Sequence, residues 1–143
     1  MPAPPPWRYR CYATLIEVGG NLVRRDEIRV GYQQQSKRWR AKFAERLSSL
    51  QALPFAEWRW PLFRWLSDDG RGLGEVRFLA DGVQQRPLGF RGPEPDVFTL
   101  VFLAQERSNK FVPRNAIETA QRLRERIEAN DRHSIKCWLF SDS

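Results

Sequence analysis

A chain of 143 residues has the length of one ordinary domain and is long enough to bury a single core. With 41% hydrophobic and 29% charged residues, wholesale disorder is excluded, and no apolar run is long enough to cross a membrane. The 24 Lys and Arg outweigh 17 Asp and Glu, leaving a formal charge of +7 that argues for an anionic partner, nucleic acid or an acidic protein.

Residues 1–6, MPAPPP, read as a flexible proline-rich arm without the basic start and apolar middle of a signal peptide. The expectation is a cytoplasmic protein with one domain over residues 7–143. Trp7 to Ile16 is rich in aromatic and β-branched residues and predicts a strand, ended by Gly19-Gly20-Asn21. Asp26 to Gln35 is polar and weakly helical. Ser36 then offers an N-cap, and Trp39, Phe43, Leu47 and Leu50 form one apolar stripe on a helix that Pro54 ends. The two segments predict a helical hairpin.

Phe55 to Leu66 carries three of the six tryptophans. Exposed, such rings would stack on bases; nothing in their spacing favours exposure, so they are expected to cap one edge of the core. Leu73–Ala80 and Val83–Phe90 flank Asp81-Gly82, a pair suited to the positive φ angles of a type I′ turn, and predict a hairpin. Val97–Gln105 is nearly continuous in apolar character and predicts an interior strand. Pro113 is expected to open a last helix with Ala116, Ala120, Leu123 and Ile127 as its seam. The tail Ser134 to Phe140 is short enough to dock as one more strand. The order of strand, two helices, three strands and one helix indicates an α+β domain with a mainly antiparallel sheet.

The turn fixes a register in which Ala80 faces Val83, Leu79 faces Gln84, and Arg77 faces Arg86. Like charges opposed across a ladder cost up to about 1 kcal/mol. A sheet that holds a phosphate would place two guanidiniums there. The alternative is a local carboxylate, such as Glu75, for each arginine. Pro87 cannot donate to the ladder and implies a bulge or an unpaired position nearby. Beyond the third strand, Glu106-Arg-Ser-Asn-Lys110 reads as a basic connector, with Arg107 and Lys110 emerging at the same end of the sheet. Cleaving RNA at its 2′-hydroxyl needs a proton acceptor, a proton donor and cations around the phosphate. Acid–base candidates are few: Glu75, Glu106, the single histidine His133, and a lysine. The candidate catalytic residues are thus Arg77, Arg86, Lys110 and His133, with Arg91, Arg107 and Glu75 as RNA contacts. Cys11 and Cys137 have no metal-ligand spacing, so two reduced thiols, no metal and no cofactor are expected.

The runs Gly72-Leu-Gly-Glu-Val-Arg-Phe78 and Gly82-Val-Gln-Gln-Arg-Pro-Leu-Gly-Phe90, then Phe98-Thr-Leu100 and Pro113 with Ala116 and Ala120, resemble the RelE/ParE toxin superfamily. The branch looks HigB-like, including phage-borne relatives. Trp39 to Leu53 and Trp58-Arg-Trp-Pro61 also fit, so the resemblance covers roughly Trp7 to Asn130. It implies a RelE-like fold with the helices packed on one face of the sheet. It also implies the toxin of a toxin–antitoxin pair that enters the ribosomal A site and cuts mRNA, gripping it with arginines and lysines of a concave sheet face. A cognate antitoxin, a small helix-turn-helix protein, is the implied partner. Arg77 and Arg86 match the family's strand arginines, and Arg107 and Lys110 occupy the connector where relatives carry a lysine pair, which this chain lacks. A ParE-like DNA gyrase inhibitor without chemistry of its own, or an inactive or repurposed phage-borne binding protein, are the competing readings.

Overall fold

The computed structural model of the protein describes residues 7–140, and the proline-rich arm lies outside them. In chain order the elements are β1 (Arg8–Val18), β2 (Asn21–Asp26), α1 (Glu27–Gln33), α2 (Lys37–Gln51), β3 (Phe63–Trp65), β4 (Leu73–Val76), β5 (Phe78–Ala80), β6 (Val83–Arg91), β7 (Val97–Arg107), β8 (Lys110–Val112), α3 (Ala116–Ala129) and β9 (Ser134–Lys136). The strands form one open α+β sheet whose main path runs β2-β1-β7-β6-β4-β3. Only β1 and β7 pair in parallel; the other strand pairs are antiparallel. Among the described residues no helix is long and apolar enough to cross a membrane.

Both caps of the helical hairpin are built from short polar side chains. Asp26 accepts from the Arg29 amide at 2.9 Å and Ser36 from the Trp39 amide at 3.0 Å, each satisfying a donor that the first helical turn leaves unpaired. The predicted stripe of Trp39, Phe43, Leu47 and Leu50 is wholly buried. At the other end of α2 the carbonyls of Leu47, Leu50 and Leu53 accept from Tyr9 Oη, Trp58 Nε1 and Trp7 Nε1 at 2.8, 2.9 and 3.0 Å. Aromatic donors thus add to the backbone bonds at the helix end, where the Leu50 carbonyl also accepts from the Leu53 amide at 3.0 Å.

The helices do not share one face, contrary to expectation. The α1–α2 hairpin packs with Tyr9, Cys11, Val76, Phe78, Phe98 and Leu100. Helix α3 packs on the opposite face, with Tyr12, Leu73, Leu88, Phe90, Val101 and Ala104. The reason lies in β6 and β7, which carry apolar residues on both faces and so need a helical cover on each. The register also shifts between Leu88 and Gly89, leaving Val101 of β7 unmatched. That bulge puts Val101 beside Ala104 in the α3 core.

Three strands, β2, β3 and β8, were not anticipated. Gly19 and Gly20, both at positive φ, turn β1 back into β2, and Ser108-Asn109, at φ 52° and 62°, turns β7 back into β8. The segment read as a connector is therefore a two-residue hairpin. Pro113 does not begin the last helix; its carbonyl accepts from the Ala116 amide at 3.1 Å in the turn before α3. The tail does dock, as β9 on β1.

Candidate functional site

Side chains alternate across a strand, so residues two apart share a face. On the α3 face, Leu73, Leu88, Phe90 and Ala104 lie under the helix. One step further along the same strands the same face presents Glu75, Arg77, Gln84, Arg86 and Glu106. The apolar floor under α3 becomes an ionic one where the helix no longer covers it.

The predicted register holds: Ala80 pairs with Val83, Leu79 with Gln84 and Phe78 with Gln85. Glu75 faces Leu88 in the same register, which sets Arg77 opposite Arg86. Pro87 then falls opposite Val76, and the ladder is broken there without slipping. The Arg77 amide turns away to the Leu62 carbonyl at 3.0 Å. The Asp81-Gly82 turn has both residues at positive φ, as a type I′ turn requires. It is tied to the α2 cap, where Ser36 donates to Asp81 at 2.5 Å.

Repulsion between the two arginines is relieved within the sheet. Glu75, fully buried, offers Oε1 to Arg64 Nη2 at 2.5 Å. Its Oε2 lies 2.9 Å from Arg77 Nη1 and 3.1 Å from Arg86 Nε. Glu75 is thus a counter-ion within the sheet, and the expectation that it touches RNA is corrected: no surface of it is left to do so. Arg86, 2% exposed, also meets Glu106 Oε1 at 3.0 Å, the Gln85 carbonyl at 2.7 Å and Gln84 Oε1 at 3.2 Å. The local-carboxylate alternative therefore describes this pair. Arg86 holds the carboxylates in place, and Arg77 is the member that reaches the surface.

Arg77 lies on the wall of a cleft of about 550 Å³ formed with Arg46, Trp60, Arg86, Glu106, Ser108 and Asn109. The Trp60 ring is 64% exposed and covers the Arg77 guanidinium at 4.1 Å. The pKa of Arg77 is lowered, first by desolvation and second by the neighbouring Arg86 charge. From α2, Arg46 donates to the Arg77 carbonyl. It has no carboxylate partner among the described residues. Four guanidiniums therefore surround two carboxylates. Glu106 is the carboxylate that lines the cleft, with its side chain 23% exposed.

The remaining predicted residues are scattered. Arg107 and Lys110 face each other on the β7–β8 hairpin and line the adjoining groove with Arg114, sharing Ser108 with the cleft. Arg91 lies five residues along β6 from Arg86, on the order of 17 Å away. It donates to the Pro95 carbonyl at 2.7 Å and sits over the Phe55 ring. His133 is placed beside β1, with Nδ1 3.0 Å from the Ala13 carbonyl and its ring stacked on Tyr12. Its expected catalytic place is not realised, because the chain that carries it docks on β1 and the cleft lies beyond β7 on β6. Among the tryptophans of residues 55–66, Trp58 is core as expected, whereas Trp60 is exposed and Trp65 is 40% exposed. Arg46, Trp60, Ser108 and Asn109 were missed. A signal did exist for Arg46, which flanks Phe43 and Leu47 and so stands at the edge of the stripe that packs on the sheet. Comparison of the chain with protein-family models, with curated proteins and with solved structures finds no match.

Proposed function

We propose that the cleft binds single-stranded RNA and that the protein is a ribosome-dependent mRNA endonuclease, the toxin of a type II toxin–antitoxin pair. The observation that carries this reading is the Arg77 guanidinium held between buried Glu75 and the exposed Trp60 ring, with Arg46 beside it. A phosphate entering the cleft meets the free donors of Arg46 and Arg77, while Trp60 supplies a face on which a base stacks. In support of a RelE-like, HigB-like assignment, β1, the helical hairpin, the strands β4 to β7 and α3 follow one another in that sequence, with β2, β3 and β8 as additions to it.

In this reading Glu106 takes the 2′-hydroxyl proton as the 2′-oxygen bonds to phosphorus and the bond to the 5′-oxygen breaks. Solvent protonates the departing oxygen, and the guanidiniums of Arg46 and Arg77 stabilise the charge that builds on the phosphoryl oxygens. Arg86 orients Glu106 through its Nε. Arg107 and Lys110 extend the cationic track past the Ser108-Asn109 turn. The partners are mRNA on the ribosome, in the cytoplasm, and an antitoxin whose acidic residues cover Arg46 and Arg77.

One observation favours a second reading. Arg86 spends its donors on protein acceptors, as in a rigid binding surface, which suits a ParE-like inhibitor that grips DNA gyrase without chemistry. Brief induction in cells followed by mapping of mRNA 5′ ends separates the two. Codon-spaced cuts that disappear in Glu106→Gln support the nuclease. Intact mRNA with DNA damage supports gyrase.

A further inference from the structure

We infer that the protein carries a second anion site, a phosphate-binding pocket built from Arg10, Arg24 and Arg132 where β9 and β2 meet along β1. This site does not depend on the nuclease reading. Strand β9 pairs with β1 at Arg10, Cys11 and Tyr12, and β2 takes over at Ala13. Ser134, at the first position of β9, sits at that junction and is buried.

Two guanidiniums converge on Ser134. Arg10 donates from Nε to Ser134 Oγ at 2.9 Å and from Nη2 to its carbonyl at 3.0 Å. Arg24 donates from Nη1 to the same carbonyl at 3.1 Å. Arg132, in the turn before β9, reaches the Leu22 carbonyl at 3.4 Å and completes the ring. Together they line a hollow of about 490 Å³.

The charge is unbalanced at close range. Among the described residues none of these three arginines lies within 4.0 Å of a carboxylate, unlike Arg64, Arg77 and Arg86 in the first cleft. Of the two acidic residues on the rim, Glu94 is engaged by Arg8 at 2.8 Å, and Asp131 makes no ion pair. Two cations sharing one neutral oxygen repel each other and are partly stripped of water. Accordingly, the Arg10 pKa is lowered by burial and, next, by Arg24.

A guanidinium has five N–H donors in a planar fork. Arg10 uses two here and Arg24 one, so each keeps donors for a ligand in the hollow. A tetrahedral phosphate presents oxygens out of a common plane to forks arriving from several directions, where a carboxylate offers only two oxygens in one plane. The ligand class is therefore a phosphate group, as the free anion or as a phosphodiester.

The test is amide NMR of the full chain titrated separately with inorganic phosphate and with a dinucleotide that has hydroxyls at both ends. Shifts are followed at Arg10, Tyr12 and Ser134. Binding of phosphate assigns the pocket to free or terminal phosphate groups, and binding of the dinucleotide assigns it to a phosphodiester backbone. Either supports the site if Arg24→Gln and Arg132→Gln each weaken it by roughly tenfold, the loss of one charge-assisted hydrogen bond. Both changes lie on exposed positions, and dispersion of the remaining amides checks that the fold is kept. Arg46→Gln, in the first cleft, leaves the shifts at these amides unchanged. Silence of these amides with both probes, or wild-type affinity in the Arg24 and Arg132 variants, overturns the proposal.

Discussion

The Glu75 carboxylate lies 3.1 Å from Arg86 Nε, and both side chains are buried. The two residues stand on neighbouring strands, and Glu75 bridges Arg86 to Arg64 and Arg77. Four charged groups thus form one unit on which the wall of the cleft is built. A buried charge that loses its partner keeps its desolvation cost.

Glu75→Gln is therefore expected to destabilise the protein by about 3–5 kcal/mol, because Arg86 then retains a single carboxylate at 3.0 Å. Replacing both Glu75 and Arg86 by methionine should recover part of that loss, since the buried Arg86 charge goes with its partner, while Arg64, Arg77 and Glu106, which each lose a partner, keep some access to solvent. Urea denaturation of the two variants measures the difference. A Glu75→Gln midpoint equal to wild type would mean that the ion cluster contributes nothing.

Trp60 and Trp58 should separate binding from folding. Trp60 is exposed, so Trp60→Ala leaves stability nearly unchanged but weakens single-stranded RNA by about 1–3 kcal/mol, with Trp60→Phe intermediate. Trp58 is core and caps α2, so Trp58→Ala costs about 3–5 kcal/mol of stability. Thermal melts beside fluorescence titrations with an RNA oligonucleotide check both.

The hairpin was the most legible part of the chain, and the reason is local. Asp81-Gly82 fixes the turn, the turn fixes the register, and Glu75 shares a face with Arg77 by strand alternation alone. What could not be read depends on long-range packing. Trp58 and Trp60 share one sequence context, yet Trp58 enters the core and Trp60 stays on the cleft wall. Ser108-Asn109 turns without glycine, at positive φ that asparagine tolerates but serine rarely adopts, so β8 gave no usual sign. His133 was assigned a role by residue type, and only the docking of β9 on β1 shows where it lies.

Asp26 gives the stability a definite pH dependence. Burial raises its pKa from 3.8 to about 6, against the opposing hydrogen bonds from the Arg29 and Ile28 amides. Its folded pKa exceeds the unfolded one, so this group favours the fold most below pH 4 and that contribution is lost as pH rises through 6. Asp26→Asn keeps an N-cap side chain and removes the ionisation. It should raise the melting temperature at pH 8 and lose that advantage near pH 4; an equal shift at both would refute the assignment.

Gly74 and Gly89 face each other across β4 and β6, with the Phe63 and Phe98 rings laid over them. A Cβ at Gly89 would stand 2.5 Å from the Thr99 carbonyl oxygen, a backbone atom that cannot move aside cheaply. Gly89→Ala is thus expected to cost about 1–3 kcal/mol through overpacking. Chemical denaturation reads it, and a neutral result would show that the bulge at Val101 gives way.

The most direct test of the central claim is single-turnover cleavage of mRNA on translating ribosomes by purified protein, wild type beside Glu106→Gln. Codon-spaced cutting by the wild type is expected, with the rate in Glu106→Gln lower by about 10²–10⁴-fold, the worth of one positioned proton acceptor, while RNA binding is retained. Equal rates in the two proteins, or uncut mRNA with the wild type, would contradict it.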